Sequence, residues 1–183
     1  LTHLNDIQEL DASRAASFPQ FAAGDLLLSL RHQSMLLVVD PATLRVKWYQ
    51  VGPWIGQHSP LFMNTGKISV FSNNDDGTMT GEKFGGSIIM EIDPQTRQVV
   101  RRYGGIAGEP MYTPSRGTHQ RIGARHEGIL ITESRAGRVL EIGADGKLVW
   151  EYINRFDDAS VGILTGATRY PADYFTVKDW TCP

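Results

Sequence analysis

The chain has 183 residues, 41% of them hydrophobic and 21% charged, with a formal net charge of -2. That is enough apolar material for a core, and the near-even charge balance gives no field for a polyanion, so no nucleic-acid partner is expected. No run approaches the roughly 18 apolar residues of a membrane span, and the longest, Met35 to Val39, has the length of a buried strand.

The chain opens on Leu1, with neither an initiator Met nor a charged-then-apolar leader before Leu4, which reads as a fragment or a processed chain. Strand-like segments then follow in groups of four. The first group is Leu4–Leu10, Asp25–Leu30, Met35–Val39 and Val46–Gln50, with one short helical turn expected at Asp11–Ala16. The second is Pro60–Met63, Lys67–Phe71, Ser87–Ile92 and Val99–Tyr103, and the third Gln120–Ile122, Ile129–Thr132, Val139–Ile142 and Leu148–Ile153. Asp40-Pro-Ala-Thr, Asp93-Pro-Gln-Thr and Ala144-Asp-Gly-Lys link the last two strands of each group. Proline presets the first turn dihedral and Asp-Gly tolerates positive φ, so each link reads as a hairpin. The lone cysteine, Cys182, lies near the C-terminus, so no disulfide forms within the chain.

Four strands per unit at a spacing of about 50 residues predict an all-β fold: a β-propeller of four-stranded antiparallel blades. The blades fall at about 1–53, 54–105 and 106–155, and 156–183 holds the start of a further blade, with one candidate strand at Gly162–Tyr170, and a tail. Propellers close with about four to eight blades. Three blades therefore read as half of a six-bladed ring, completed by further sequence or by another chain, for instance a second copy. Trp48, Trp150 and Tyr152, on outer strands, are expected to pack blade against blade.

A histidine precedes the inner strand of each unit: His3, His58 and His119. Propeller geometry can bring such side chains to one axis. His58 follows the breaker-rich Gly52-Pro-Trp-Ile-Gly-Gln57, and neutral imidazole is an available nucleophile near neutral pH; a turn histidine packed on Trp54 is the plainer reading. Arg31 interrupts the apolar stretch Leu26 to Val39, so it must find a partner or line a polar cavity. It either clamps tetrahedral oxyanions or pairs with Asp25 or Asp40. His32 would point to the opposite face of a regular strand. His3 and Asn5, two apart, share a face on which Asn5 can donate to an oxyanion and His3 can move a proton, with Asp6 facing away. His119 lies in a cationic stretch between Arg116 and Arg121. Converging histidines also describe a metal site, although none of the spacings is that of a dedicated motif. The acidic loop Asn73–Gly77 reads as a solvated turn. Trp54, Phe62 and Tyr112 could stack on an aromatic ligand.

His3-Leu-Asn-Asp-Ile7, Ser29-Leu-Arg-His-Gln-Ser34, Gly56-Gln-His-Ser-Pro60 and Phe71-Ser-Asn-Asn74, in this order, resemble the motifs of the bacterial aryl-sulfate sulfotransferase family. The resemblance covers about residues 1–153 and implies a six-bladed propeller that moves a sulfuryl group from an aryl sulfate to a phenol. It implies a sulfohistidine on His58, with His3, Asn5 and Arg31 facing the same channel, no cofactor, and a periplasmic or secreted protein. A family hydroxyl would fall on Thr113, Ser115 or Thr118, and His119 joins the substrate-binding candidates. The segment Gln120 to Tyr152 is similar to a divergent branch of the family. The competing readings are a non-catalytic propeller that binds a ligand or partner protein in its funnel, and a histidine-ligated metal enzyme.

Overall fold

A computed structural model describes residues 2–104, 111–123, 127–171 and 173–176, apart from the side chains of residues 101 and 102. Cys182 and the last residues of the expected tail lie outside the described residues.

Three antiparallel sheets of four strands follow one another along the chain. The first holds β1 (Leu4–Glu9), β2 (Leu26–Leu30), β3 (Met35–Asp40) and β4 (Arg45–Val51). The second holds β5 (His58–Phe62), β6 (Ile68–Ser72), β7 (Ile88–Ile92) and β8 (Val99–Tyr103), and the third β9 (Thr118–Ile122), β10 (Gly128–Glu133), β11 (Arg138–Ile142) and β12 (Leu148–Ile153). Each sheet runs in chain order, and among the innermost strands β5 neighbours both β1 and β9. The protein is thus an all-β propeller segment of three blades.

Local chemistry sets the elements. Asp11 caps the short helix α1 (Ala12–Ala15) by accepting from the Arg14 amide. In the outer hairpins Asp40 accepts from the amides of Ala42 and Thr43, and Asp93 from those of Gln95 and Thr96. Both are the local side-chain turns that aspartate makes two and three residues on.

Alternation decides what the blades bury. In β6 and β7, Ile68, Val70, Ile88, Met90 and Ile92 pack toward blade 1, against Leu27, Leu36, Val38 and Trp48. The intervening Phe71 and Ile89 face blade 3 and meet Ile129, Ile131, Leu140 and Ile142. Both faces of blade 2 are covered, and every residue of β6 and β7 is buried. At roughly 1.5–3 kcal/mol for each large apolar side chain buried, these two interfaces dominate the stability of the array.

Among the described residues, the outer face of blade 1 is open and that of blade 3 is only partly covered. On blade 1, the cross-strand row Ile7, Leu28, Leu37 and Tyr49 leaves Ile7 53% and Tyr49 54% exposed. On blade 3, Trp150 and Tyr152 stack on each other with ring centroids 6.3 Å apart and stay about half exposed, at 49% and 45%. Trp48 is core as expected; Trp150 and Tyr152 are not, because the surface they would pack against is not among the described residues. The segment expected as a strand at Gly162–Tyr170 is instead an extended arm. Leu164 and Ala167 pack on Ile122, Leu130 and Val139, and the arm helps to line a groove of about 770 Å³ beside Trp150 and Tyr152.

Candidate active site

Blades 1 and 2 bring His3, Arg31 and His58 together where their inner strands begin. The apolar stretch Leu26 to Val39 is not one strand: Arg31–Gln33 form a 3-10 turn between β2 and β3, closed by Ser34 in the left-handed region at φ 48°. Arg31 therefore stands at a blade end instead of interrupting a strand. Its amide donates to the His3 carbonyl at 3.0 Å, which fixes the two residues side by side. In a turn, His32 need not point away either. Its ring meets the His3 ring edge-on, with centroids 4.6 Å apart.

Arg31 pairs with neither Asp25 nor Asp40. Asp25 is held by Lys47 at 2.7 Å within blade 1. The partner of Arg31 is Asp75, at 3.1 Å, in the loop after β6, and this pair is partly exposed. The guanidinium passes over Gly56, where a Cβ would lie 3.5 Å from Nη2 and where φ is +62°. Glycine suits Gly56 on both counts.

Gln57, which precedes His58, is buried and reaches back into blade 1. Its side-chain amide donates toward Ser29 Oγ, the Leu30 carbonyl and the Met35 carbonyl at 3.1–3.2 Å. Blade 2 thereby grips the turn that carries Arg31. A bulge between Leu4 and Asp6 breaks the alternation expected of β1. Asn5 donates to the Gln57 carbonyl at 2.7 Å, and Asp6 turns toward the Ser59 amide. Burial holds the Asp6 carboxyl above its usual range.

His58 is half-buried. Nδ1 lies 2.6 Å from Asn73 Oδ1 and 3.0 Å from the Gly56 carbonyl, and Nε2 lies 3.2 Å from the backbone nitrogen of Arg116. Burial first, then the charges of Arg31 and His3, lower its pKa below the ordinary 6.5, against the opposing hydrogen bonds from Asn73 and Gly56. This favours the neutral ring.

His119 does not join this cluster. It is the second residue of β9 and turns into the interface between blades 2 and 3, with Nε2 2.7 Å from Ser69 Oγ. Full burial drives its pKa down to about 3. Nor is its neighbour a free cation, since Arg121 bonds the buried Glu91 at 2.6 Å. His119 and Ser69 also line a cavity of about 490 Å³ that runs past Leu61 to Thr65, toward the end of β5 away from His58. Among the hydroxyls, Thr113 is buried, donates to the Ser115 carbonyl and accepts from the Arg135 amide. Thr118 donates to Thr132, and Ser115 stands next to Arg116. Trp54 and Phe62 are core residues, and Tyr112 is half-buried with its hydroxyl donating to the Thr78 carbonyl. The expectation that Trp54 and Phe62 offer stacking surface fails because blade packing consumes them. Asp76, in the acidic loop read as a solvated turn, accepts from Thr78 and Lys83 of its own turn, and the Thr78 hydroxyl leads in holding its pKa at about 2. Among the described residues, no three His, Cys, Asp or Glu side chains are grouped so as to hold a metal ion.

The family model for Arylsulfotransferase (ASST) matches residues 1–155. The chain belongs to the arylsulfotransferase family. Among solved structures, a protein of unknown function from Bacteroides caccae shares 17% identity at a TM-score of 0.51, over 70% of this chain and 45% of that one. Apo AztD from Citrobacter koseri shares 13% identity at a TM-score of 0.41, over 70% of this chain and 31% of that one. The matched part of this chain thus spans less than half of either structure. No curated protein matches it. Among the described residues, no helix is long and apolar enough to cross a membrane.

Sequence reasoning passed over Gln57, Asp75 and Asn73. Gln57 and Asn73 stand inside the motifs that carry the resemblance, and that place is their one signal in the sequence.

Proposed function

We propose that this member of the arylsulfotransferase family moves a sulfuryl group from an aryl sulfate to a phenol through a sulfohistidine on His58. The observation that carries this reading is a half-buried imidazole held at Nδ1 by Asn73 and the Gly56 carbonyl, with the guanidinium of Arg31 lying over Gly56. A lone pair on His58 attacks sulfur, the S–O bond to the aryl group breaks, and its electrons leave with the phenolic oxygen. Arg31, released from the partly exposed pair with Asp75, balances the charge on the sulfuryl oxygens. His3 gives a proton to the departing phenolate and takes one from the acceptor phenol, whose oxygen then attacks sulfur and frees His58. Asn5 steadies the backbone ahead of His58 through the Gln57 carbonyl. Ser115 is placed to help bind substrate beside Arg116, whereas Thr113 and His119 support the walls of the site from within the blade interfaces. No cofactor takes part in this scheme.

The open faces of blades 1 and 3 are covered, in this reading, by further blades of a six-bladed ring, from the same chain or a second copy; residues 156–183 begin the fourth. The general habit of the family supports a periplasmic or secreted location.

Incubation with an aryl sulfate followed by peptide mass analysis tests the reaction. The expected result is a labile gain of one sulfuryl group on the His58 peptide, lost in His58→Ala. A folded, complete protein that shows neither turnover nor mass gain overturns the transferase reading and favours a funnel that only binds.

A further inference from the structure

Asn73 follows β6 directly, and its side chain is fully buried. Its amide nitrogen donates to two backbone carbonyls of the loop leading into β9, those of Thr113 at 2.8 Å and Arg116 at 2.7 Å. A carbonyl can only accept, so the amide cannot be turned round. Oδ1 must therefore face His58, and it does so at 2.6 Å from Nδ1. The second neighbour of Nδ1 is the Gly56 carbonyl, again an acceptor. Between two oxygens that carry no hydrogen, Nδ1 has to hold the proton.

The other ring nitrogen gives the same answer independently. The Arg116 amide, presented by a residue in the left-handed region at φ 62°, donates to Nε2 at 3.2 Å, which requires a lone pair there. Free neutral histidine in water prefers its proton on Nε2. The protein holds His58 in the opposite tautomer.

We infer that Asn73 is a positioning residue: it keeps the proton of His58 on Nδ1, so that Nε2 is the nitrogen that attacks. The inference rests on the reading of His58 as nucleophile. When Nε2 forms the bond to sulfur and the aryl–oxygen bond to sulfur breaks, Nδ1–H stays in place. The positive charge gained by the ring then lies against Asn73 Oδ1 and the Gly56 carbonyl, where the hydrogen bonds become charge-assisted and stronger. The Arg116 amide loses its acceptor and is left among the incoming sulfuryl oxygens. The other charged groups facing the ring, His3 and Arg31, oppose its protonation, so the two carbonyl oxygens are what offsets them.

Long-range proton–nitrogen NMR of the complete protein with 15N-labelled histidine tests this, with the His58 signals assigned by comparison with His58→Gln. Above its titration midpoint, His58 is expected to show a protonated Nδ1 and an unprotonated Nε2. A proton on Nε2 in the unaltered protein overturns the inference, without recourse to any variant that fails to fold. In Asn73→Ala the population is expected to move toward the Nε2–H form, and the single-turnover rate of sulfuryl uptake to fall by about tenfold or more while binding of the aryl sulfate is kept. An unchanged tautomer and rate in that variant also overturn it. A sulfuryl group mapped to Nδ1 defeats the inference while leaving the transferase reading intact. Nδ1–H in a protein that never takes up a sulfuryl group defeats the transferase reading and with it the attack by Nε2, while the tautomer held by Asn73 stands.

Discussion

Arg121 of β9 reaches across to Glu91 of β7, Nη2 to Oε1 at 2.6 Å, and Glu91 is only 4% exposed. The pair crosses from blade 3 to blade 2 in the same interface as Ile89, Ile129 and Ile142. Removing Arg121 takes a guanidinium at 2.6 Å away from a buried carboxylate. Arg121→Met is therefore expected to cost about 1–3 kcal/mol, and the double variant Arg121→Met/Glu91→Leu to recover most of that loss, as read from urea unfolding midpoints. A single variant as stable as the double would contradict the pairing.

His119, in the same interface, should make the fold acid-sensitive. Its folded pKa of about 3 lies below the 6.5 of an exposed histidine, so between those values the unfolded chain binds a proton that the folded chain refuses. Stability should fall as pH falls through that window, by up to several kcal/mol, and the loss is complete only below the folded pKa. His119→Gln should flatten the dependence of the unfolding midpoint between pH 6.5 and 4. An unchanged slope would mean that other groups govern the acid limb.

Gln57 joins the two halves of the candidate site, since it follows Gly56 and grips the turn of Arg31. Gln57→Leu keeps the volume but leaves the Leu30 and Met35 carbonyls without that donor, so a loss of about 1–3 kcal/mol is expected in thermal or urea melts. Binding of an aryl sulfate, followed by calorimetry, should weaken more in this variant than in a control of equal destabilisation elsewhere. Equal weakening in both would reduce Gln57 to a packing residue.

The blades were legible in the sequence because their signals are local. Alternating apolar residues and the Asp-Pro and Asp-Gly hairpins need no knowledge of neighbours, and strands such as Val99–Tyr103 and Leu148–Ile153 lie where the pattern puts them. Arg31 was misplaced because the leucines and valines on either side of Arg-His-Gln-Ser read as one run, and a single left-handed residue, Ser34, divides it. The meeting of His3, Arg31 and His58 followed from motif order, but the bond of Arg31 to Asp75 did not, because 44 residues separate the two. His119 fits the same histidine pattern, and only the opposing Ser69 of another blade shows that it belongs to the interior. Exposure of Trp150 is likewise a property of what lies opposite, which no window of sequence contains.

Tryptophans at equivalent places should differ in consequence. Trp48, 6% exposed in the core, is expected to cost about 3–5 kcal/mol on replacement by alanine, whereas Trp150, 49% exposed, should cost under about 1 kcal/mol in this chain. Comparable losses in chemical denaturation would mean that the face of Trp150 is covered in solution.

His58 belongs to blade 2, yet the Arg116 amide on its Nε2 and the carbonyls that orient Asn73 belong to the approach to blade 3. The imidazole thus senses an event outside its own sheet. During folding, its full set of hydrogen bonds arises only once the segment from Thr113 to Arg116 has docked, so the histidine nitrogen resonances offer a clock for that step.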